Sequence, residues 1–140
     1  MNDDGGQAAI LAVVLIALAA LAIAGIREAD ARLARGSATR WAGEAGVEAA
    51  AAVVADAYAG ELRSRAADPS RAPRAMSDVV GASSVRDQAR SAADDLSDRN
   101  GGAPFDDLAI TCANGAVTVA GSLRGTTYRA SFTASECSRP

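Results

Sequence analysis

The chain contains no histidine and no lysine, only two cysteines, and five aromatic residues in 140: one Trp, two Tyr and two Phe. The absence of His removes the commonest general base and metal ligand. Without His or Lys, no familiar base is available to activate the plentiful Ser and Thr hydroxyls. The basic residues are 14 arginines scattered among 17 acids, giving a net charge of −3 and no basic run or stripe. A nucleic-acid surface is therefore not expected. Large aliphatic residues are also scarce where they would build a soluble core. Val, Ile and Leu total 24, and ten of these fall between Ile10 and Ile26, leaving 14 for Arg27 to Pro140. Burial of such side chains contributes roughly 1.5–3 kcal/mol each, so the polar part of the chain supports only a small core. No enzyme, cofactor or metal site is expected. Asp94, Asp95, Asp98, Asp106 and Asp107 lack the spacing of a calcium loop, and Gly5-Gly6-Gln7, a peptidyl-tRNA hydrolysis tripeptide elsewhere, abuts an apolar run.

What the sequence does contain is one long apolar segment. No charge occurs from Gly5 to Ile26, and Ala8–Ile26 is apolar throughout. Nineteen helical residues rise about 28 Å, close to the hydrocarbon thickness of a bilayer. A buried helix of a soluble protein normally keeps a polar face, and a secretory signal peptide starts with basic residues. This segment follows Asn2-Asp3-Asp4, so the expectation is a retained single-span anchor in the lipid bilayer. Arg27, Arg32 and Arg35 argue for placing the following chain in the cytoplasm. Cys112 and Cys137 argue the other way: an even pair in a core-poor domain reads as a disulfide, which persists outside the cytoplasm. The expected arrangement is an extracytoplasmic C-terminal part.

Nothing interrupts a helix after the anchor until Pro69, and residues 27–67 are rich in Ala, Arg, Glu and Leu. Leu33, Trp41, Val47, Val54, Tyr58 and Leu62 recur at helical intervals as a narrow stripe, expected to meet a neighbouring subunit or partner. Gly36, Gly43 and Gly46 permit bends or close helix contacts. Two prolines mark 68–83 as a linker. A second helix is expected from about Ser84, where Ser84-Val85-Arg86-Asp87 resembles a capping box, with Val85, Ala89, Ala92 and Leu96 on its apolar side.

From Leu108 the period becomes two. Asn114-Gly115 between alternating runs is a strong hairpin signal. It sets Cys112 opposite Val117 and Ile110 opposite Val119. A second turn at Arg124-Gly125 brings Tyr128, Ala130 and Phe132 to the same side. Leu108, Ile110, Val117, Val119, Tyr128 and Phe132 are thus the expected core face of a three-stranded antiparallel meander. The fold class read from sequence is α+β: a membrane helix (7–26) after a short leader-like segment (1–6), an extended Ala-rich helix (27–67), the linker (68–83), and a small head (84–140).

This layout is pilin-like. The opening Asp4-Gly5-Gly6-Gln7-Ala8-Ala9-Ile10-Leu11 resembles the start of TadE/TadG-like proteins of the tight-adherence (Flp) pilus system, and the Ala-rich stretch Ala42–Ala59 is similar to the segment that follows their anchor. The resemblance implies a minor pilin or pseudopilin of the inner membrane or a cell-surface pilus. Its implied partners are other pilin-like subunits, pilus assembly proteins and a prepilin peptidase that cleaves after Gly6 to leave Gln7 first. Pilins usually carry Glu as the fifth mature residue, where this chain has Leu11, which favours a minor or membrane-retained role over a filament core subunit. The alternative is a single-span, membrane-anchored extracytoplasmic protein that binds a partner in a secretion or envelope complex.

Overall fold

A computed structural model describes residues 4–137, with the side chains of 4–12 and of Arg35 outside the description. Helix α1 spans Asp4–Ala67. It stops where the sequence says it must: Asp68 precedes Pro69, whose ring disfavours helical backbone at the residue before it. The Asp68 carboxylate then accepts hydrogen bonds from Ser70 N at 3.1 Å and Ser70 Oγ at 2.6 Å, which fixes the turn. The chain divides into two units, Met1–Ser37 and Ala38–Pro140.

In the first unit only helix is described. Its large apolar side chains from Val13 to Ile26 are exposed. Among the described residues, no helix is long and apolar enough to cross a membrane. The expected span Ala8–Ile26 begins on residues whose side chains lie outside the described set. So do Gly6 and Gln7, the expected cleavage point.

The second unit is α+β. After α1 come α2 (Met76–Val80), α3 (Ser83–Arg99), strands β1 (Asp107–Ala113), β2 (Ala116–Leu123) and β3 (Thr126–Thr133), and a 3-10 turn at Ser135–Cys137. The strands form an antiparallel sheet in the order β1-β2-β3. Cys112 pairs with Val117, Ile110 with Val119, Val119 with Ala130 and Val117 with Phe132, the register expected from the turn chemistry. Both turns have positive φ at their two central residues: Asn114 (53°) and Gly115 (75°), then Arg124 (52°) and Gly125 (77°). Those are type I′ angles, whose twist matches that of the flanking strands.

Alternation along β2 buries Val117, Val119, Gly121 and Leu123 on one face. That face is covered by helices. Ala42, Val47, Ala50, Ala51 and Val54 come from α1, and Ala89 and Ala93 from α3, with Phe105 completing the core. Glycine sets how close α1 lies. A Cβ on Gly43 would overlap the Tyr128 ring, and one on Gly46 would overlap the Phe105 ring.

Two local expectations are corrected. Helix α3 begins one residue early, with Ala82 at its N-cap and no side-chain capping bond, so the Ser84 box is not formed. Its buried line is Ala89, Ala93 and Ser97, while Val85, Ala92 and Leu96 are half-buried. Small residues on that line let α3 sit against α1, and Ser97 Oγ donates to the Ala103 carbonyl at 2.7 Å. The stretch 68–83 is also more than a tether, because α2 within it buries Met76, Val79 and Val80 in the core.

Candidate functional site

The first unit offers an uncovered apolar surface. Val13, Val14, Leu15 and Ile16 are consecutive, so they point in four directions about 100° apart on an α-helix, yet each is at least 49% exposed. Leu18, Leu21, Ile23 and Ile26 continue the pattern. Among the described residues, none of these four directions is covered. Monomeric soluble proteins rarely leave so large a contiguous apolar patch in water, and such patches mark protein or membrane contacts. Charges resume immediately after it at Arg27 and Glu28, and Glu28 accepts from Arg32 Nε at 3.1 Å one turn later.

The stripe expected to meet a partner is divided by the structure. Leu33 and Trp41 are 73% and 67% exposed. Val47 and Val54 are fully buried in the head's own core, with Tyr58 and Leu62 half-buried against it. The reason is the sheet: its apolar face needs a cover, and α1 supplies it within the same chain. The Val47-to-Leu62 part of the stripe is thus not a free surface for another subunit.

The residues expected as the sheet core lie in and around the buried cluster. Val117 and Val119 are fully buried, while Leu108, Ile110, Tyr128 and Phe132 pack around them as partly buried side chains. Cys112 and Cys137 form a disulfide across 25 residues, with Cα atoms 5.0 Å apart. It ties β1 to the C-terminal 3-10 turn, where Ala134 N also donates to Gly115 O at 2.8 Å.

Three polar clusters hold helices to the rest of the head, and none was visible in the sequence. Glu61, 4% exposed, accepts from Arg65 Nε at 3.3 Å and from Arg74 Nη2 at 2.9 Å. Arg74 holds its carboxyl below the usual range, with Arg65 assisting, against the opposing push of burial. A cleft of about 360 Å³ opens beside this group between α1, α2 and the start of α3, lined in part by Gly60, Ser64, Arg74 and Val85. In the second cluster, Tyr58 donates to Glu136 and stacks edge-on against Phe132 at 5.8 Å. Burial, and then Glu136, raise the Tyr58 pKa, while the Tyr58 hydroxyl lowers that of Glu136. In the third, Asp94 binds Arg90 at 3.0 Å and accepts from Phe105 N at 2.8 Å, and Arg90 donates to Phe105 O. Phe105 sits between Pro104 and the first strand, outside any periodic run, and so carried no sequence signal.

Among the described residues, no group of three or more His, Cys, Asp or Glu side chains is arranged to hold a metal ion. No protein-family model, curated protein or solved structure matches this chain.

Proposed function

We propose that this chain is a single-span, pilin-like membrane protein, a minor pilin or pseudopilin-like component of a tight-adherence pilus or of its assembly machinery. The observation that carries the reading is the apolar helix surface from Val13 to Ile26, exposed on every side. Those 14 residues rise about 21 Å, short of a bilayer's hydrocarbon core. The apolar sequence Ala8–Ala12 extends the run to about 28 Å, enough to span. An all-round apolar surface is suited to lipid and to neighbouring helices, since a bilayer presents no water to any side. The Cys112–Cys137 disulfide supports placing the head outside the cytoplasm, where such bonds persist. Pilin-like subunits, assembly proteins and a prepilin peptidase are then its partners.

Leu11 in place of the carboxylate usual in pilins supports the second reading, a membrane-anchored, partner-binding protein that never enters a filament. Mass spectrometry of the protein from the membrane fraction separates the two. A new N-terminus at Gln7 is the result expected of prepilin processing, whereas an intact Met1 favours the anchored alternative. Quantitative recovery in the soluble fraction after lysis, with no detergent, would overturn both.

A further inference from the structure

The two edge strands of the head are treated differently. Strand β1 has α2 packed against it and is tied through Cys112 to the C-terminal turn. Strand β3 has α1 against its inner face at Tyr128 and Phe132, but among the described residues its outer edge pairs with no strand, β2 being its one neighbour in the sheet. Because Arg124 and Gly125 form a two-residue turn, Leu123 and Thr126 close the hairpin as a hydrogen-bonded pair. Strict alternation from that pair turns the N–H and C=O groups of Thr127, Arg129, Ser131 and Thr133 away from β2. All four residues are exposed, and no backbone bond from them to another element occurs among the described residues. Beside this edge runs a groove of about 210 Å³ between β3 and α1, lined by Glu48, Ala51, Ala52, Ala55, Ser131 and Phe132.

We infer that the β3 edge and this groove receive one extended segment of a partner protein, added to the sheet as a fourth strand. Three observations specify the occupant. The free backbone groups recur every second residue, about 6.8 Å apart, a spacing that an extended polypeptide matches and a helix does not. Ala51, Ala52, Ala55 and Phe132 make most of the groove lining apolar, with Glu48 and Ser131 its polar members; this accepts small or β-branched side chains at alternate positions, while the other face, beside Thr127, Arg129 and Thr133, is polar. Glu48 stands exposed at the groove with no ion pair among the described residues, and selects a basic residue on the groove-facing side. In such strand addition the main chain supplies the affinity and the alternate side chains supply the choice of partner. The inference rests on the head alone and is independent of membrane anchoring.

The test uses the full chain, 15N-labelled in detergent micelles, with two acetylated and amidated heptapeptides: Lys-Thr-Val-Thr-Val-Thr-Val and Val-Thr-Val-Thr-Val-Thr-Lys. The expected result is saturable binding of at least one at up to about 1 mM, the weak end of specific recognition. Shifts should fall on Thr127–Thr133 and on 51–55, and the outward amides of β3 should become protected from exchange. Methylating alternate backbone nitrogens of the peptide should abolish binding without touching the protein. Ser131→Pro, which removes one outward N–H and is tolerated at an edge, should do the same while the β2 resonances hold. Glu48→Gln should weaken the Lys peptide by up to about fivefold, the scale of an exposed ion pair. Binding by neither peptide, shifts confined elsewhere, or equal binding after backbone methylation would overturn the inference. Concentration-dependent dimerisation that protects the same amides without peptide would overturn it as well, by giving the edge to a second copy.

Discussion

Two stretches of one helix reverse the usual relation between side-chain size and burial. From Val13 to Ile26, α1 carries Val, Leu and Ile in quantity, and they are exposed. From Ala42 to Val54 it is mostly Ala and Gly, and Ala42, Val47, Ala50 and Val54 are at most 1% exposed. Burial here follows close approach more than hydrophobic bulk. In the first stretch, large side chains make an exposed apolar surface, which the proposed anchoring would place in lipid. Small ones let the helix backbone come down onto aromatic rings of the sheet and its connecting loop. Adding the residues up by hydropathy would rank the two stretches in the wrong order of intramolecular contact.

The comparison breaks most readily at its exposed half. Replacing Ile16 and Leu21 with Asp should cost on the order of 5–7 kcal/mol of membrane insertion, at about 2.5–3.5 kcal/mol per charge near a span's centre. The expected outcome is loss of the protein from the membrane pellet after alkaline extraction, with unchanged thermal unfolding of the head by circular dichroism. Were the variant still membrane-bound, anchoring by this segment would be wrong. In the head, Cys112→Ser with Cys137→Ser should lower stability by about 3.5 kcal/mol, the loop-closure entropy for the 25-residue separation. Urea denaturation, reading the midpoint at constant slope, checks it.

A smaller contrast uses glycines in the two stretches. Gly46→Ala drives a methyl into the buried Phe105 ring and should cost about 2 kcal/mol, the scale of overpacking. Gly43→Ala meets the Tyr128 ring, which is half-buried where Phe105 is fully enclosed, and should cost less. Gly25→Ala meets nothing and should leave head stability unchanged. If Gly46→Ala and Gly25→Ala melted alike, the close-approach account of α1 would fail.

The narrowest effect concerns pH. Glu61 has its folded-state pKa lowered by Arg74 and Arg65. Its stabilisation is therefore fully present above the ordinary carboxylate pKa and is lost as pH falls through the lower folded value. Melting temperature followed by calorimetry should drop over that acid range in the parent. Glu61→Gln should flatten the drop and lower the melting temperature at neutral pH, where the charged pairs have been removed. An unaltered acid profile would mean that the cluster is not what anchors the segment before α2.

How much of this was legible follows from distance along the chain. Both hairpins were readable because turn and register are local: Asn114-Gly115 and Arg124-Gly125 fix which residues face each other before any tertiary contact exists. The end of α1 at Ala67 was readable from Pro69 for the same reason. The partners of Glu61 were not, since Arg74 lies 13 positions on, across a turn with no periodicity of its own. Helix α2 has five residues, too few to display a period. Ser97 on the buried line of α3 is invisible to any hydropathy pattern, because its burial depends on the Ala103 carbonyl that satisfies its hydroxyl. Gly43 and Gly46 could be read as sites of close approach, but not which ring each would meet.

The alanine-and-valine core has a thermal consequence. Apolar surface hidden per residue is modest when so many buried positions are Ala, and the heat capacity of unfolding is set largely by that surface. The cross-link between Cys112 and Cys137 keeps the unfolded chain more compact, which reduces the newly hydrated area further. The head should therefore unfold with a heat-capacity increment below the roughly 12–15 cal/mol/K per residue typical of globular domains. Its stability curve is then broad and weakly curved, changing little over a wide span of temperature.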